Sequence, residues 1–403
     1  MHMTVLVVSD AHIFRTPDGK FWCNTAMHGY EFWKRYLLAF EEVKVIARVK
    51  EVRFEEDMNK YIRADGENVT VFPLPFVRGI KGYAFNYYKI KKYCKKAARI
   101  GDCAVFRIPS IPAYLTLKEY RKRKEPYAVE VVIDPEDEYK NIPLLKKISV
   151  KILKKVCLDA NGVSYVTKYY LQEKYKSGYK TGKVDKYYFE GYYSSIDLDK
   201  SFYYLRRKYI LENKNKIKLL HIANSINNRN KGHEEVIKIA KILETKGIYA
   251  EVVFVGDGDL IDDLKKQTVD LNIEDRIKFV GYVSDKLRIK KYLLDADLFL
   301  FPSKAEGLPR VLIEAMATGL PCLASNVDGI PELLDKKYLF SPEDVTGFAN
   351  KIEEIMQDES EMEYMGQINY KKALEYESTK LTNRRQKFYM ELKNTAKLSN
   401  KRA

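Results

Sequence analysis

Short, wholly apolar runs recur along the chain, each followed by a polar turn and then by a stretch whose apolar residues return at helical spacing. Runs of that kind read as parallel strands covered on both faces, with helices as the returns. In the first half the pattern predicts strands at 4–9, 43–47, 69–72, 103–108, 127–133 and 162–166, a loop at 10–24 and a helix at 25–40. Near residues 192–197 the periodicity lapses, which predicts a linker. A second series then begins, with strands at 217–223, 250–255 and 297–301, a helix at 231–246, and helices at 342–357, 360–376 and 378–397. The alternation predicts an α/β fold of doubly wound sheets, and 403 residues exceed one ordinary core. Two domains follow, 1–195 and 196–403.

The most informative stretch is 301–328, FPSKAEGLPRVLIEAMATGLPCLASNVD. A strand leads into it, Pro302 to Gly307 form a turn, Pro309 suits a first helical turn, and Gly319 and Pro321 stop the helix. The turn and helix start therefore stand at the carboxyl edge of a sheet, where backbone N–H groups and the helix dipole favour an anion. Glu306 on the turn and Glu314 on the helix would repel a phosphate there, but a carboxylate accepts bonds well from a vicinal diol of a ribose or hexose. Read without further context, both acids are equally at home as solvated helix-start residues. Lys231 begins the helix predicted at 231–246, a position the dipole disfavours unless an anion neutralises it.

Composition narrows the partners. Hydrophobic residues make up 46%, and the net charge is +15. The excess lies in residues 1–200, with 37 Lys and Arg against 25 Asp and Glu. Lysine runs at 89–96, 118–124 and 146–155 are interleaved with aromatic or aliphatic residues, a surface suited to anionic lipid or nucleic acid, or simply solvated. Five scattered cysteines read as reduced core thiols of a cytosolic protein, and five histidines lack ligand spacing, so no metal is expected. No run is long enough to cross a bilayer and no signal peptide is expected, which suggests a cytoplasmic protein, peripheral at most.

Glu306 and Glu314, set in S-K-A-E-G-L-P-x-V-x-x-E-A-M-A-x-G-x-P, closely resemble the signature of the retaining glycosyltransferases of family 4. That resemblance implies a GT-B fold, two Rossmann-like doubly wound domains facing each other across a cleft, with the last helix packing back on the first domain. It implies that Glu306 faces a donor sugar, that Gly307 and Leu308, ahead of Pro309, offer N–H groups to a diphosphate, and that Glu314 holds a ribose. Lys231 matches a family lysine that binds the diphosphate. The arginine that accompanies it five residues earlier is Ile226 here, and Arg229 is the available substitute.

Further positions follow from the resemblance. Gly256 and Gly258 stand where family glycines let backbone approach the nucleotide, and Asp257-Gly258-Asp259 is not a metal motif there. Gly281 and Tyr282 fall where backbone reads the base. Only Gly19 remains of a family Gly-Gly pair after the first strand. Arg107 replaces a family histidine and is either a phosphate or acidic-acceptor ligand or a structural ion-pair partner. The implied activity is metal-independent transfer of a hexose-type sugar, without a cofactor, from a UDP- or GDP-linked donor. The expected acceptor is a saccharide or polyprenyl-diphosphate-linked saccharide in surface polysaccharide assembly, such as capsule or O-antigen, at the inner membrane face. A sugar-nucleotide epimerase or hydrolase of the same fold is the alternative. A basic nucleic-acid-binding protein leaves 301–328 without a purpose.

Overall fold

A computed structural model of the chain describes residues 2–53, 61–139, 142–205 and 213–400. The chain divides into two compact units, Met1–Ser195 with Leu381–Ala403, and Ile196–Lys380.

The first unit is built on a nine-stranded sheet: β1 (Thr4–Arg15), β2 (Phe21–Cys23), β3 (Glu42–Glu51), β4 (Ile62–Arg63), β5 (Val69–Pro75), β6 (Cys103–Ile108), β7 (Tyr127–Val131), β8 (Gly162–Tyr165) and β9 (Phe189–Tyr192). Its parallel part runs β5-β3-β1-β6-β7-β8-β9. Helices α1 (Tyr30–Trp33), α2 (Gly79–Phe85), α3 (Tyr87–Ala97), α4 (Ile111–Tyr120), α5 (Pro135–Glu138), α6 (Pro143–Asp159) and α7 (Tyr170–Lys174) connect the strands. Inward residues of one sheet face, among them Leu6, Val8, Phe106 and Val129, share a core with Ile90 and Cys94 of α3, Leu117 of α4 and Leu153 and Val156 of α6.

Two predicted segments of this unit take another form. The stretch 10–24 is not an open loop. A register shift between Val8 and His12 lets β1 continue along β3 as far as Arg15, and the chain then folds back antiparallel onto β2. The irregularity takes in two extra residues of β1, four positions from Val8 to His12 against two from Ile46 to Arg48, and Ala11 and Ile13 stay buried. Gly19 lies in the hairpin turn, where the Thr16 and Gly19 N–H groups donate to Lys20 O and Thr16 O. Its φ of +81° meets the demand of the turn, which accounts for the glycine without a ligand. Residues 25–40 form only short helical turns around α1, because Gly29 is extended between them.

The second unit is a six-stranded parallel sheet in the order β12-β11-β10-β13-β14-β15, made by β10 (Lys216–Ser225), β11 (Tyr249–Asp257), β12 (Ile277–Phe279), β13 (Leu298–Phe301), β14 (Cys322–Ser325) and β15 (Leu339–Phe340). Helices α8 (His233–Thr245), α9 (Ile261–Asp270), α10 (Lys286–Asp295), α11 (Arg310–Ala317), α12 (Val345–Met356) and α13 (Glu359–Ala373) complete it. The strand order reverses between β10 and β13, so the loops leaving these strands stand side by side at the carboxyl edge. In open α/β sheets that switch point is where ligands bind.

The last helix, α14 (Ser378–Asn400), returns to the first unit from Leu381 onward. Glu130 of β7 anchors it: its carboxylate accepts from Tyr389 (2.8 Å) and Tyr193 (3.0 Å) through one oxygen and from Tyr36 (3.0 Å) through the other. Tyr389→Phe removes one hydrogen bond to a buried charge and is expected to cost about 1–2 kcal/mol in denaturant unfolding.

Candidate functional site

The site is assembled at the switch point of the second unit. After β10 the chain makes a 3-10 turn at Arg229–Lys231, and Gly232 then adopts φ +81° before α8 starts at His233. A Cβ on Gly232 would lie 2.2 Å from Pro302 O, so this turn presses directly on the loop after β13. Asn230 O accepts the Lys304 N–H (2.7 Å), and Ser303 Oγ lies 3.1 Å from the same carbonyl. With the two loops joined in this way, Lys231 Nζ reaches Glu306 Oε1 at 2.6 Å. Ser303 Oγ lies 2.9 Å from that oxygen, and the Glu306 N–H donates to Asp328 Oδ2 at 2.8 Å. Glu306 is 8% exposed, so its carboxylate is fixed before any ligand arrives.

Beyond Glu306 the chain enters α11. Pro309 is its N-cap, and no side chain caps the helix start. Among the described residues, neither the Gly307 nor the Leu308 N–H donates to another group. Leu308 and the first turn of α11 border a cavity of about 270 Å³ lined also by Lys231, Glu306, Arg310 and the end of β10, and Gly307 adjoins Leu308 in the chain. One wall thus offers a cation, free N–H groups and a helix N-terminus, a combination that suits an anion. Glu314 lies on α11 four residues beyond Arg310 and is half-buried. Burial pushes its carboxyl up to about 7, against the opposing pull of Arg310 and Lys286. The carboxyl is therefore close to the point where it exchanges a proton at neutral pH.

Other positions singled out from the sequence fall elsewhere. Arg229 is largely exposed, pairs with Glu234 at 2.7 Å and does not line the cavity, so it does not stand in for the missing arginine in this structure. Ile226 is fully buried in the core of the unit, where an arginine could not be accommodated without a partner. Gly256 and Gly258 make room for the protein itself: added Cβ atoms would lie 1.8 Å from Ala223 O and 2.3 Å from Asn227 Oδ1. Their space is taken by the end of β10 and by the loop that follows it. The Gly256 N–H donates to Gly281 O at 2.9 Å, Gly281 has φ +82° with open space around it, and Tyr282 is 55% exposed.

In the first unit, Arg107 of β6 stands beside Glu130 of β7 in the parallel register and forms an ion pair with it. Its side chain is 12% exposed, lies over the Phe32 ring and is held protonated by Glu130 and Tyr36 despite the cost of burial. Of its two readings, the structural ion pair is the one observed. As a phosphate or acceptor ligand it would have to leave Glu130 buried and uncompensated. The small cavity it borders, about 20 Å³, has room for little more than a water molecule.

Three residues of the site carried no recognised signal in the sequence. Arg310 lines the cavity but occupies the variable position between two motif residues. His221 of β10 and His233 of α8, two residues after Lys231, pack at 4.5 Å between ring centroids. Burial lowers them to about 4 and about 2, so both rings are neutral, and His221 Nδ1 lies 2.8 Å from Leu300 O. Among the described residues, no group of three His, Cys, Asp or Glu side chains is placed to hold a metal ion.

Residues 206–372 match the family described as glycosyl transferases group 1. That span contains both joined loops and the whole cavity. Protein CapJ of Staphylococcus aureus is 29% identical over 360 residues, which are 85% of this chain and 84% of the relative. An Escherichia coli protein, UDP-Gal:alpha-D-GlcNAc-diphosphoundecaprenol alpha-1,3-galactosyltransferase, is 36% identical over 26% of this chain and 28% of its own. Among solved structures, sucrose-phosphate synthase from Thermosynechococcus elongatus superimposes with a TM-score of 0.72 at 15% identity, covering 98% of this chain and all of that one. The fold is GT-B, and the family match with the relatives' names supports a glycosyltransferase.

Proposed function

We propose that this chain is a retaining glycosyltransferase of family 4 that moves a hexose-type sugar from a nucleoside diphosphate to a saccharide or lipid-linked saccharide, without a metal ion. The observation that carries the reading is the 270 Å³ cavity on whose wall Lys231, Glu306 and the uncapped start of α11 converge. A diphosphate there would meet Lys231 and the Gly307 and Leu308 N–H groups. Lys231 has three donors, so it can bind a phosphate oxygen while keeping Glu306. Glu306 accepts from sugar hydroxyls, and Glu314 accepts from the ribose.

In the proposed reaction the bond between the anomeric carbon and the diphosphate oxygen breaks, and the bond to the acceptor oxygen forms on the same face. The acceptor's proton passes to the departing phosphate oxygen, so no protein base is required. Lys231 and the N–H groups stabilise the charge that develops on the leaving group. The E. coli relative's name specifies a UDP sugar and a diphosphoundecaprenol-linked acceptor, and CapJ's name fits capsule assembly. These support a UDP-linked donor and an acceptor used in surface polysaccharide assembly.

The test is a thermal-shift panel of UDP-, GDP- and ADP-sugars in the presence of EDTA, followed by product analysis with the best binder. A shift of several degrees with one nucleotide class and a product of retained anomeric configuration are expected. An inverted product, or turnover of the donor alone whatever acceptor is supplied, would sink the reading. Glu306→Ala separates the two acids: it is expected to weaken the nucleotide sugar about tenfold relative to the free nucleoside diphosphate, because only the sugar meets Glu306 while the release of Lys231 acts on both ligands alike. Calorimetric titration of both ligands checks this.

A further inference from the structure

We propose that α6, with the junction of α2 and α3, forms a docking surface for an anionic lipid bilayer. The helix buries Ser149, Leu153, Val156 and Cys157 and turns Leu144, Ile148 and Ile152 outward, 72%, 45% and 37% exposed. Residues four apart line up along one side of a helix, so these three make a continuous apolar strip. A helix whose outer face met only water would carry polar residues there. Three positions after each apolar residue stands an exposed lysine, Lys147, Lys151 and Lys155, and no acidic residue occurs in the helix before Asp159. Among the described residues none of these three lysines forms an ion pair.

A second patch of the same character lies at the junction of α2 and α3. Phe85 and Tyr88 are 87% and 85% exposed and are followed by exposed Lys89, Lys91 and Lys92. The helices α3 and α6 pack on one core over one face of the sheet, so both patches lie on that side of the unit. Charge decides what covers them. A second copy of the chain docking through the same face would bring lysine strips together, which costs affinity. Anionic headgroups neutralise the lysines while Leu144 and Ile148 enter the acyl boundary, the arrangement of a helix lying in the interface. No helix among the described residues is long and apolar enough to cross a membrane, so the association is with the surface.

The inference stands on the helix surface and not on the proposed activity, and one experiment separates the two. The full chain is floated with vesicles of phosphatidylcholine alone and of phosphatidylcholine with phosphatidylglycerol, and UDP binding is measured in parallel. Flotation with the anionic vesicles only, reduced at high salt, is expected. Lys147→Gln/Lys151→Gln/Lys155→Gln and Leu144→Glu/Ile148→Glu should each lower the partition coefficient roughly tenfold or more. Each variant should keep its melting temperature and UDP affinity. Absence of flotation, equal flotation with both vesicle types, or variants that float like the parent overturns the surface. So does a stable dimer that the Leu144→Glu/Ile148→Glu chain fails to form. If UDP binding persists in any of these cases, the proposed function survives; vesicle binding by a chain that binds no nucleotide supports the surface and not the activity.

Discussion

Replacing Lys231 with alanine is expected to lower the turnover rate of sugar transfer by roughly 10²–10³-fold, the loss seen when one preorganised donor to a developing charge is removed. Two effects act in the same direction. The ammonium no longer meets the departing diphosphate, and Glu306, 8% exposed, keeps only Ser303 near its Oε1 where a cation stood 2.6 Å away. An uncompensated carboxylate on the wall of an anion site repels the same phosphates that Lys231 would have drawn in. A double-mutant cycle with Glu306→Gln separates the two contributions. If repulsion dominates, the second substitution restores part of the activity that the first removed; if leaving-group stabilisation dominates, it restores little. A Lys231→Ala enzyme with unchanged kcat would remove Lys231 from the chemistry, whatever happens to KM.

The strand, turn and helix at the heart of the site were legible because each boundary has a local cause. The apolar run of β13, Pro309 as the N-cap of α11, and Gly319 and Pro321 beyond its end all act within a few residues of the boundary they set. What local pattern could not supply is register. Lys231 and Glu306 are 75 residues apart in the chain and meet because β10 and β13 are neighbours and Gly232 lets one loop press on the other. Arg107 meets Glu130 for the same kind of reason, as parallel partners 23 residues apart, which is why its sequence left two readings open. The hairpin of β1 and β2 depends on a bulge with no composition of its own. β9 is only four residues long and mostly half-buried, too weak a signal for a strand. Gly256 and Gly258 show a further limit: the glycines are needed, but the close neighbours are this chain's own atoms, Ala223 O and Asn227 Oδ1.

Glu314 gives the second large effect, and its sign depends on pH. A carboxylate accepting two ribose hydroxyls contributes about 3 kcal/mol or more, so Glu314→Gln is expected to weaken nucleoside diphosphate binding a hundredfold or more at pH 8. The ligand-free carboxyl sits at about 7, because burial disfavours its charge more than Arg310 and Lys286 favour it. In the unfolded chain it returns to about 4.5. Between those values the folded protein retains a proton that the unfolded chain has released, so this group lowers stability progressively as pH rises from about 4.5 to about 7, and no further above that. Glutamine cannot ionise. The variant should therefore melt close to the parent at pH 4.5 and above it at pH 8, with the gap opening across that window. Nucleotide affinity should move the opposite way: the parent's advantage over the variant grows as pH rises through 7, since only the ionised carboxylate accepts from both hydroxyls. Melting curves and titrations of parent and variant at matched pH cancel the nucleotide's own ionisation. A melting gap that stays constant from pH 4.5 to 8 would show that burial does not hold this carboxyl protonated, and an affinity gap that stays constant would separate it from the ribose.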